Sequence, residues 1–88
     1  MKSLIIEYDL CSPGQNYDEL YKTIKSYSNW GHITKSTWLI KTSDSCEKVR
    51  DNLLKHLDPN DRLFVGELSG TAAWYNVLCG NEFLQENL

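Results

Sequence analysis

Strand-like and helix-like segments alternate along most of the chain, and this order limits the possible folds more than any single residue does. Residues 4–10 form an apolar run of strand length that ends at the turn signal CSPG, residues 11–14. Residues 33–42 are rich in β-branched and aromatic residues that alternate, which predicts one bent strand or two short ones. Residues 62–68 predict a further short strand.

Helical patterns fill the two gaps between these strands. Residues 17–28 place apolar and aromatic side chains on one helical face, and Asn16 stands three residues before Glu19, a spacing typical of a capping box. Asp44 likewise stands three residues before a glutamate, and it opens a second helical pattern that continues to Leu57. The sequence therefore predicts one helix after the first strand and one before the last.

This order, β-α-β(β)-α-β, matches a ferredoxin-like α+β sandwich, in which an antiparallel sheet carries two helices on one face. We expect residues 1–70 to form that core and residues 71–88 to form a C-terminal strand or extension, with a short strand or helical turn over residues 71–78. A chain of 88 residues builds only a small core, so a partner subunit is expected.

The charge balance limits the choice of partner. A net charge of −3 argues against strong non-specific binding to nucleic acid, which needs many cationic contacts. Residues 20–43, however, hold four lysines and no acidic residue: Lys22, Lys25, Lys35 and Lys41. This stretch suits a modest phosphate contact, and hence an RNA-binding module, but it is also typical of an ordinary solvated surface.

Membrane and redox features point to the cytoplasm. No apolar run approaches the roughly 20 residues that cross a bilayer, and no signal-peptide pattern opens the chain, so we expect no membrane association. The cysteines are odd in number and lack the C-x-x-C spacing of a zinc or redox site. Cys11, Cys46 and Cys79 are therefore interpreted as reduced thiols in a cytoplasmic protein.

Asp9 is the main candidate for chemistry, because it ends a strand that otherwise has a buried pattern. A carboxylate in that position could bind Mg²⁺, which keeps several waters and takes only one or two protein carboxylates. The alternative is that Asp9 caps the following turn through an Asx-type hydrogen bond. Since one carboxylate is a weak metal site, the magnesium hypothesis requires a two-fold dimer that brings two copies of Asp9 together.

Other chemistries find less support. Nothing in the spacing of His32 and His56 joins them to Cys11 as a catalytic group, and no glycine-rich phosphate-binding loop is present. The tryptophans could stack nucleobases, but the ribonucleoprotein sequence pattern is absent, so core or interface packing is the better interpretation. These residues are Trp30, Trp38 and Trp74.

Taken together, five segments resemble the CRISPR-associated protein 2 family, in particular its short SinR-like relatives and, more distantly, virulence-associated protein D. They are IIEYDL, ITKSTWLIKT, DSCEKVRDNLLKHL, DPNDR and LFVGEL, and they match by order and spacing over about residues 3–68. In the resemblance, Asp9 corresponds to the strand-end aspartate and Tyr8 precedes it as in many members. Ser36 corresponds to the serine of the second-strand motif, and Trp38 stands where that motif usually has phenylalanine.

The resemblance implies a ferredoxin-like homodimer, often completed by a C-terminal strand that crosses onto the partner. Family members act in spacer acquisition as dimeric scaffolds, and several are metal-dependent nucleases whose key carboxylate corresponds to Asp9. This chain departs from the family in lacking an arginine-rich loop after the first strand, where no basic residue occurs before Lys22.

Two functions are therefore expected. The first is a Mg²⁺-dependent endonuclease or endoribonuclease, in which Asp9 is both the metal ligand and the catalytic residue. The second is a non-catalytic dimeric scaffold that docks on a protein partner in a defence or toxin–antitoxin complex. Candidate contacts to RNA or DNA are Tyr8, Ser36, Lys22, Lys25 and Lys35, and candidate dimer contacts are Trp74 and Tyr75.

Overall fold

Four strands and three helices make up the computed structural model, which describes residues 1–12 and 16–88. In chain order they are β1 (Lys2–Asp9), α1 (Asp18–Lys25), β2 (Ser28–Thr34), β3 (Thr37–Thr42), α2 (Cys46–Leu54), β4 (Arg62–Glu67) and α3 (Asn81–Asn87). The expected α+β class is confirmed. Pro13 and Gly14 of the predicted first turn lie outside the described residues.

The strands form one antiparallel sheet in the order β2-β3-β1-β4. β1 lies between β3 and β4, where Ile6 is opposite Trp38 and Asp9 is opposite Arg62. Because side chains alternate along a strand, the even-numbered residues from Leu4 to Tyr8 share one face of β1, and Asp9 points to the other face.

Helices α1 and α2 cover the sheet face that carries Leu4, Ile6 and Tyr8, and they build the core there. We call this the first sheet face, and the opposite one the second sheet face. Their apolar residues recur at helical spacing and meet the apolar residues of β1 and β3 in a single cluster. Its buried members are Leu4, Ile6, Tyr8, Leu20, Ile24, Trp38, Ile40, Val49 and Leu53. In the described part of the chain, no helix has the length and apolar character needed to cross a membrane.

Both predicted helices are present, but their ends differ from the predicted ones. The first starts at Asp18 and stops at Lys25, and its acidic first turn and basic last turn both complement the helix dipole. The second is capped by Ser45, whose Oγ accepts a hydrogen bond from the Lys48 amide at 3.1 Å. The expected cap at Asp44 is therefore wrong by one residue.

Residues 33–42 contain a hairpin, and its first strand starts earlier than the sequence pattern indicates. β2 begins at Ser28, and a turn at Lys35 and Ser36 joins it to β3. Register shifts interrupt the pairing of β2 with β3, and Asn29 has a positive φ of 51°. These irregularities hide the strand, since Asn and Gly are rare in regular strands.

The C-terminal segment, residues 71–88, packs on the second sheet face of its own chain. Leu84 of α3 is 2% exposed, Leu39 of β3 is completely buried, and the Leu78 amide donates to the Ile33 carbonyl at 2.9 Å. The expectation of a short strand or helical turn over residues 71–78 is wrong, because this stretch has no regular structure and the helix comes after it. Both faces of the sheet are thereby covered.

Gly31 of β2 lies against the ring of Phe83 in the C-terminal segment. A Cβ at Gly31 would overlap the ring of Phe83. We predict that Gly31→Ala lowers the free energy of unfolding by about 1–3 kcal/mol, because the ring must move in a packed region. Urea unfolding followed by circular dichroism measures this change.

Gly80→Ser provides the control, since a Cβ at Gly80 would have no atom within 4 Å and serine is a good residue at the start of a helix. The control should unfold at the wild-type urea concentration or above it. Equal stability of Gly31→Ala and wild type would contradict the packing of Phe83 against Gly31.

Candidate functional site

Asp9 is exposed at the carboxyl end of β1. Its side chain is 68% exposed, and its Oδ2 lies 3.8 Å from Nη1 of Arg62, which is 73% exposed. An ion pair this open to solvent adds little stability. The Asp9 carboxylate is therefore available to a cation, and the Arg62 guanidinium beside it suits a phosphate oxygen.

An open concavity of about 210 Å³ surrounds this pair. Glu7 lies two residues before Asp9 on the same face of β1, opposite Phe64 of β4. The two carboxylates differ in their partners. Glu7 accepts hydrogen bonds from the Ser36 hydroxyl at 2.8 Å and from the Thr37 hydroxyl, which leaves Asp9 as the open carboxylate of the concavity.

Metal binding in one protomer would rest mainly on Asp9. Within residues 1–12 and 16–88, no three His, Cys, Asp or Glu side chains gather as a metal site. Carboxylate oxygen is the donor that Mg²⁺ prefers, and Mg²⁺ is often held by one or two carboxylates plus water and substrate phosphate. The residues present thus fit a shared magnesium ion if a second chain supplies the second carboxylate.

Asp61 fixes the chain on both sides of this concavity. Its carboxylate accepts hydrogen bonds from the Cys11 amide at 2.7 Å, the Asp58 amide at 2.8 Å and the Tyr17 hydroxyl at 2.9 Å. Partial desolvation acts to raise the pKa of Asp61, but these hydrogen bonds outweigh it and hold the pKa below its usual value. The start of the β1–α1 connection is thereby tied to the turn before β4.

Tyr8 and Ser36, two of the predicted contacts to nucleic acid, are engaged within the fold. Tyr8 is 4% exposed, and its hydroxyl accepts from the Trp38 indole at 2.9 Å and donates to the Lys35 carbonyl at 3.2 Å. Burial raises the pKa of Tyr8 above its usual value, so the phenol stays neutral. Ser36 positions Glu7, as described above.

The predicted lysine contacts divide into two groups. Lys22 lies 3.7 Å from Glu19 on the outer surface of α1. Lys25 and Lys35 instead line one concavity with Tyr21, His32 and Trp38, which we call the aromatic–basic concavity. The structure therefore brings together two of the three lysines proposed as contacts to RNA or DNA.

His32, which is not among the predicted contact residues, also lines this concavity. The His32 ring stacks on the Trp38 indole, with centroids 3.9 Å apart and planes 8° apart, and Trp30 lies 5.7 Å from the same indole. The signal was present in the sequence, because Trp30 and His32 are two residues apart and share one face of a strand. It depended on recognising β2 as a strand from Ser28 onward.

Trp74 and Tyr75, the predicted dimer contacts, have different surroundings. The Trp74 indole donates to Oδ1 of Asn81 at 3.0 Å and lies over the second sheet face. Tyr75 is 93% exposed. Tyr75 is thus the one of the two that a partner could contact without any rearrangement.

Acid should weaken the hydrogen bonds that the Asp61 carboxylate accepts. Because the pKa of Asp61 is lower in the folded state than in the unfolded state, its contribution to stability is present above about pH 4 and is lost as the pH falls through the folded pKa. We predict that Asp61→Asn lowers the stability at neutral pH and loses less of it on acidification than wild type does. Urea unfolding between about pH 7 and pH 3 measures both quantities.

The matched control is Asp51→Asn, which removes an exposed carboxylate beside Arg50 on α2. It should show the same acid-dependent loss as wild type. If Asp61→Asn and Asp51→Asn have the same pH profile, Asp61 does not hold the two connections together.

Comparison with known proteins gives no relative: no family model, curated protein or solved structure matches this chain. Function is therefore inferred from the residues of the site.

Proposed function

We propose that the chain is a homodimeric protein of the CRISPR-associated protein 2 type that cleaves phosphodiester bonds in RNA or DNA with the help of Mg²⁺. The observation that carries this proposal is the exposed Asp9 carboxylate at the end of β1, with the Arg62 guanidinium 3.8 Å away in an open concavity. A side chain that can bind a cation and a side chain that can bind a phosphate therefore lie next to each other.

A ferredoxin-like fold is part of the proposal. The strand order β2-β3-β1-β4, with α1 and α2 packed on one face, supports it. In such a fold the end of β1 is reached by two other features, the β2–β3 turn and the first residues of β4. These supply Ser36, which positions Glu7, and Arg62, which adjoins Asp9.

Each residue would have a distinct task. Asp9 of each protomer would bind the shared ion, Arg62 would orient the phosphate, and Glu7 would stay hydrogen-bonded to the hydroxyls of the β2–β3 turn. When bound, Mg²⁺ polarises the scissile phosphate and makes a bound water a stronger nucleophile. The need for two copies of Asp9 makes dimerisation a condition of activity.

Substitution of Asp9 tests this function. We predict that Asp9→Asn lowers the rate of Mg²⁺-dependent cleavage by at least about 100-fold, since even residues that only support a metal ligand cost 10–100-fold. The assay follows end-labelled single-stranded RNA, single-stranded DNA and duplex DNA on denaturing gels, with and without Mg²⁺.

Asp51→Asn is again the control, because Asp51 is a similarly exposed aspartate beside an arginine, Arg50, away from the concavity. It should cleave at the wild-type rate. Cleavage by Asp9→Asn at the wild-type rate would refute the role of Asp9, and no cleavage by the wild-type dimer would favour the second candidate function.

That second candidate is a dimeric scaffold without catalytic activity. It is favoured by large side chains that the fold leaves exposed, Tyr75 at 93% and Phe64 at 62%. Aromatic residues are enriched in protein interfaces. Deleting the C-terminal segment would not test it cleanly, because the deletion would also uncover the second sheet face, including the buried Leu39.

Single substitutions distinguish two surfaces for the dimer. We predict that Tyr75→Ser weakens self-association at least tenfold, as loss of a buried interface aromatic does, whereas Phe64→Ser leaves it within twofold. Sedimentation equilibrium measures the dissociation constant of each variant. The opposite pattern would place the interface at Phe64, beside the Asp9 concavity, and no change in either would exclude both surfaces.

A further inference from the structure

The aromatic–basic concavity has a shape and a chemistry that the proposed cleavage does not use. It measures about 280 Å³, just below the usual range of about 300–1,000 Å³ for small-molecule sites. It lies where α1 faces the β2–β3 hairpin, on the sheet face opposite to Asp9. Its size suits a single planar group with a substituent.

Aromatic rings form the floor and one wall of this concavity. The Trp38 indole is 2% exposed, with the His32 ring stacked on it at 3.9 Å and the Tyr21 ring 6.4 Å away at an interplanar angle of 26°. Trp30 adjoins Trp38 and is 40% exposed. An exposed indole next to a rigid aromatic stack is a surface on which a base can stack.

Positive charge lies beside these rings. The Lys25 ammonium is 5.3 Å from the centre of the Trp30 ring, and Lys35 is exposed in the β2–β3 turn. Among residues 1–12 and 16–88, neither ammonium lies within ion-pair distance of a carboxylate. The lining of the concavity contains no acidic residue, so its charge suits an anion.

The backbone at Lys35 is held in place. Its carbonyl accepts a hydrogen bond from the Tyr8 hydroxyl at 3.2 Å and lies 3.0 Å from Nε2 of His32. The turn that carries the lysine is therefore fixed to the core and to the ring that lines the concavity. A site built on such fixed groups loses little entropy on binding.

We propose that this concavity binds one nucleotide unit of a single-stranded nucleic acid. The base stacks on Trp30 and His32, and the adjoining phosphates pair with Lys25 and Lys35. A base on Trp30 replaces the Lys25 ammonium there, and the ammonium is then free to reach the phosphate. Duplexes are excluded, because their bases are already stacked and paired. This binding requires neither Asp9 nor a metal ion.

The test is binding of fluorescein-labelled decathymidylate to the full chain, measured by fluorescence anisotropy in EDTA at low salt. We expect Trp30→Leu to weaken binding by about 5- to 150-fold, which corresponds to the stacking of one base. Lys35→Gln, a change in an exposed turn that leaves the fold intact, should weaken binding and lower the slope of log Kd against log salt by about 1.

Lys22→Gln is the matched control for Lys25→Gln, since both lysines lie on α1 and only Lys25 lines the concavity. We expect the Lys22 variant to bind within twofold of wild type and the Lys25 variant to bind more weakly. An abasic decamer of the same charge should bind at least fivefold more weakly than decathymidylate.

Three results would overturn this proposal. The first is equal affinity for the abasic decamer and decathymidylate. The others are equal loss of affinity in Lys22→Gln and Lys25→Gln, and no binding of decathymidylate at low salt. Because EDTA is present, binding by Asp9→Asn at the wild-type affinity separates this site from the proposed cleavage.

Discussion

The hydrogen bond from the buried Trp38 indole to the Tyr8 hydroxyl connects the core to the β2–β3 turn, because the same hydroxyl also binds the Lys35 carbonyl. A buried N–H without a partner costs about 1–3 kcal/mol, so Trp38 can occupy the core only if an acceptor is placed beside it. The Tyr8 hydroxyl accepts the hydrogen bond from the indole and donates one to the Lys35 carbonyl. The chain of bonds fixes the β2–β3 turn against the end of β1. In the described residues no buried side-chain nitrogen or oxygen lacks a partner, and this network is one reason.

Covering both faces of a four-stranded sheet is how so short a chain obtains a core. Two helices bury one face, and the C-terminal segment buries Leu39 and Leu84 on the other. The second layer is thin and mostly irregular, because only seven of its residues are helical. The end of β1, with Asp9 and Arg62, stays open. The residues proposed to bind the metal ion and the phosphate, Asp9 and Arg62, are thus left in solvent by the same arrangement that covers the rest of the sheet.

How much could be predicted from sequence differs between elements for physical reasons. β1, the last strand and both long helices follow from apolar spacing, and the position of Asp9 at a strand end follows with them. β2 is predictable only in part, because register shifts and the positive φ of Asn29 interrupt its regular structure. α3 has only two apolar residues, Phe83 and Leu84, and is too short to show a helical period. The pairing of Glu7 with Ser36 depends on strand register, which no local pattern reveals.

β2 serves two surfaces with consecutive residues. His32 lines the aromatic–basic concavity and Trp30 adjoins its Trp38 ring, whereas Gly31 and Ile33 face the C-terminal segment. Residues 30–33 therefore cannot be optimised for one surface without regard to the other. A side chain at Gly31 would displace Phe83, and a shift of the strand to accommodate it would carry the two rings along. The covering of one sheet face thus restricts how the aromatic–basic concavity on the other face can evolve.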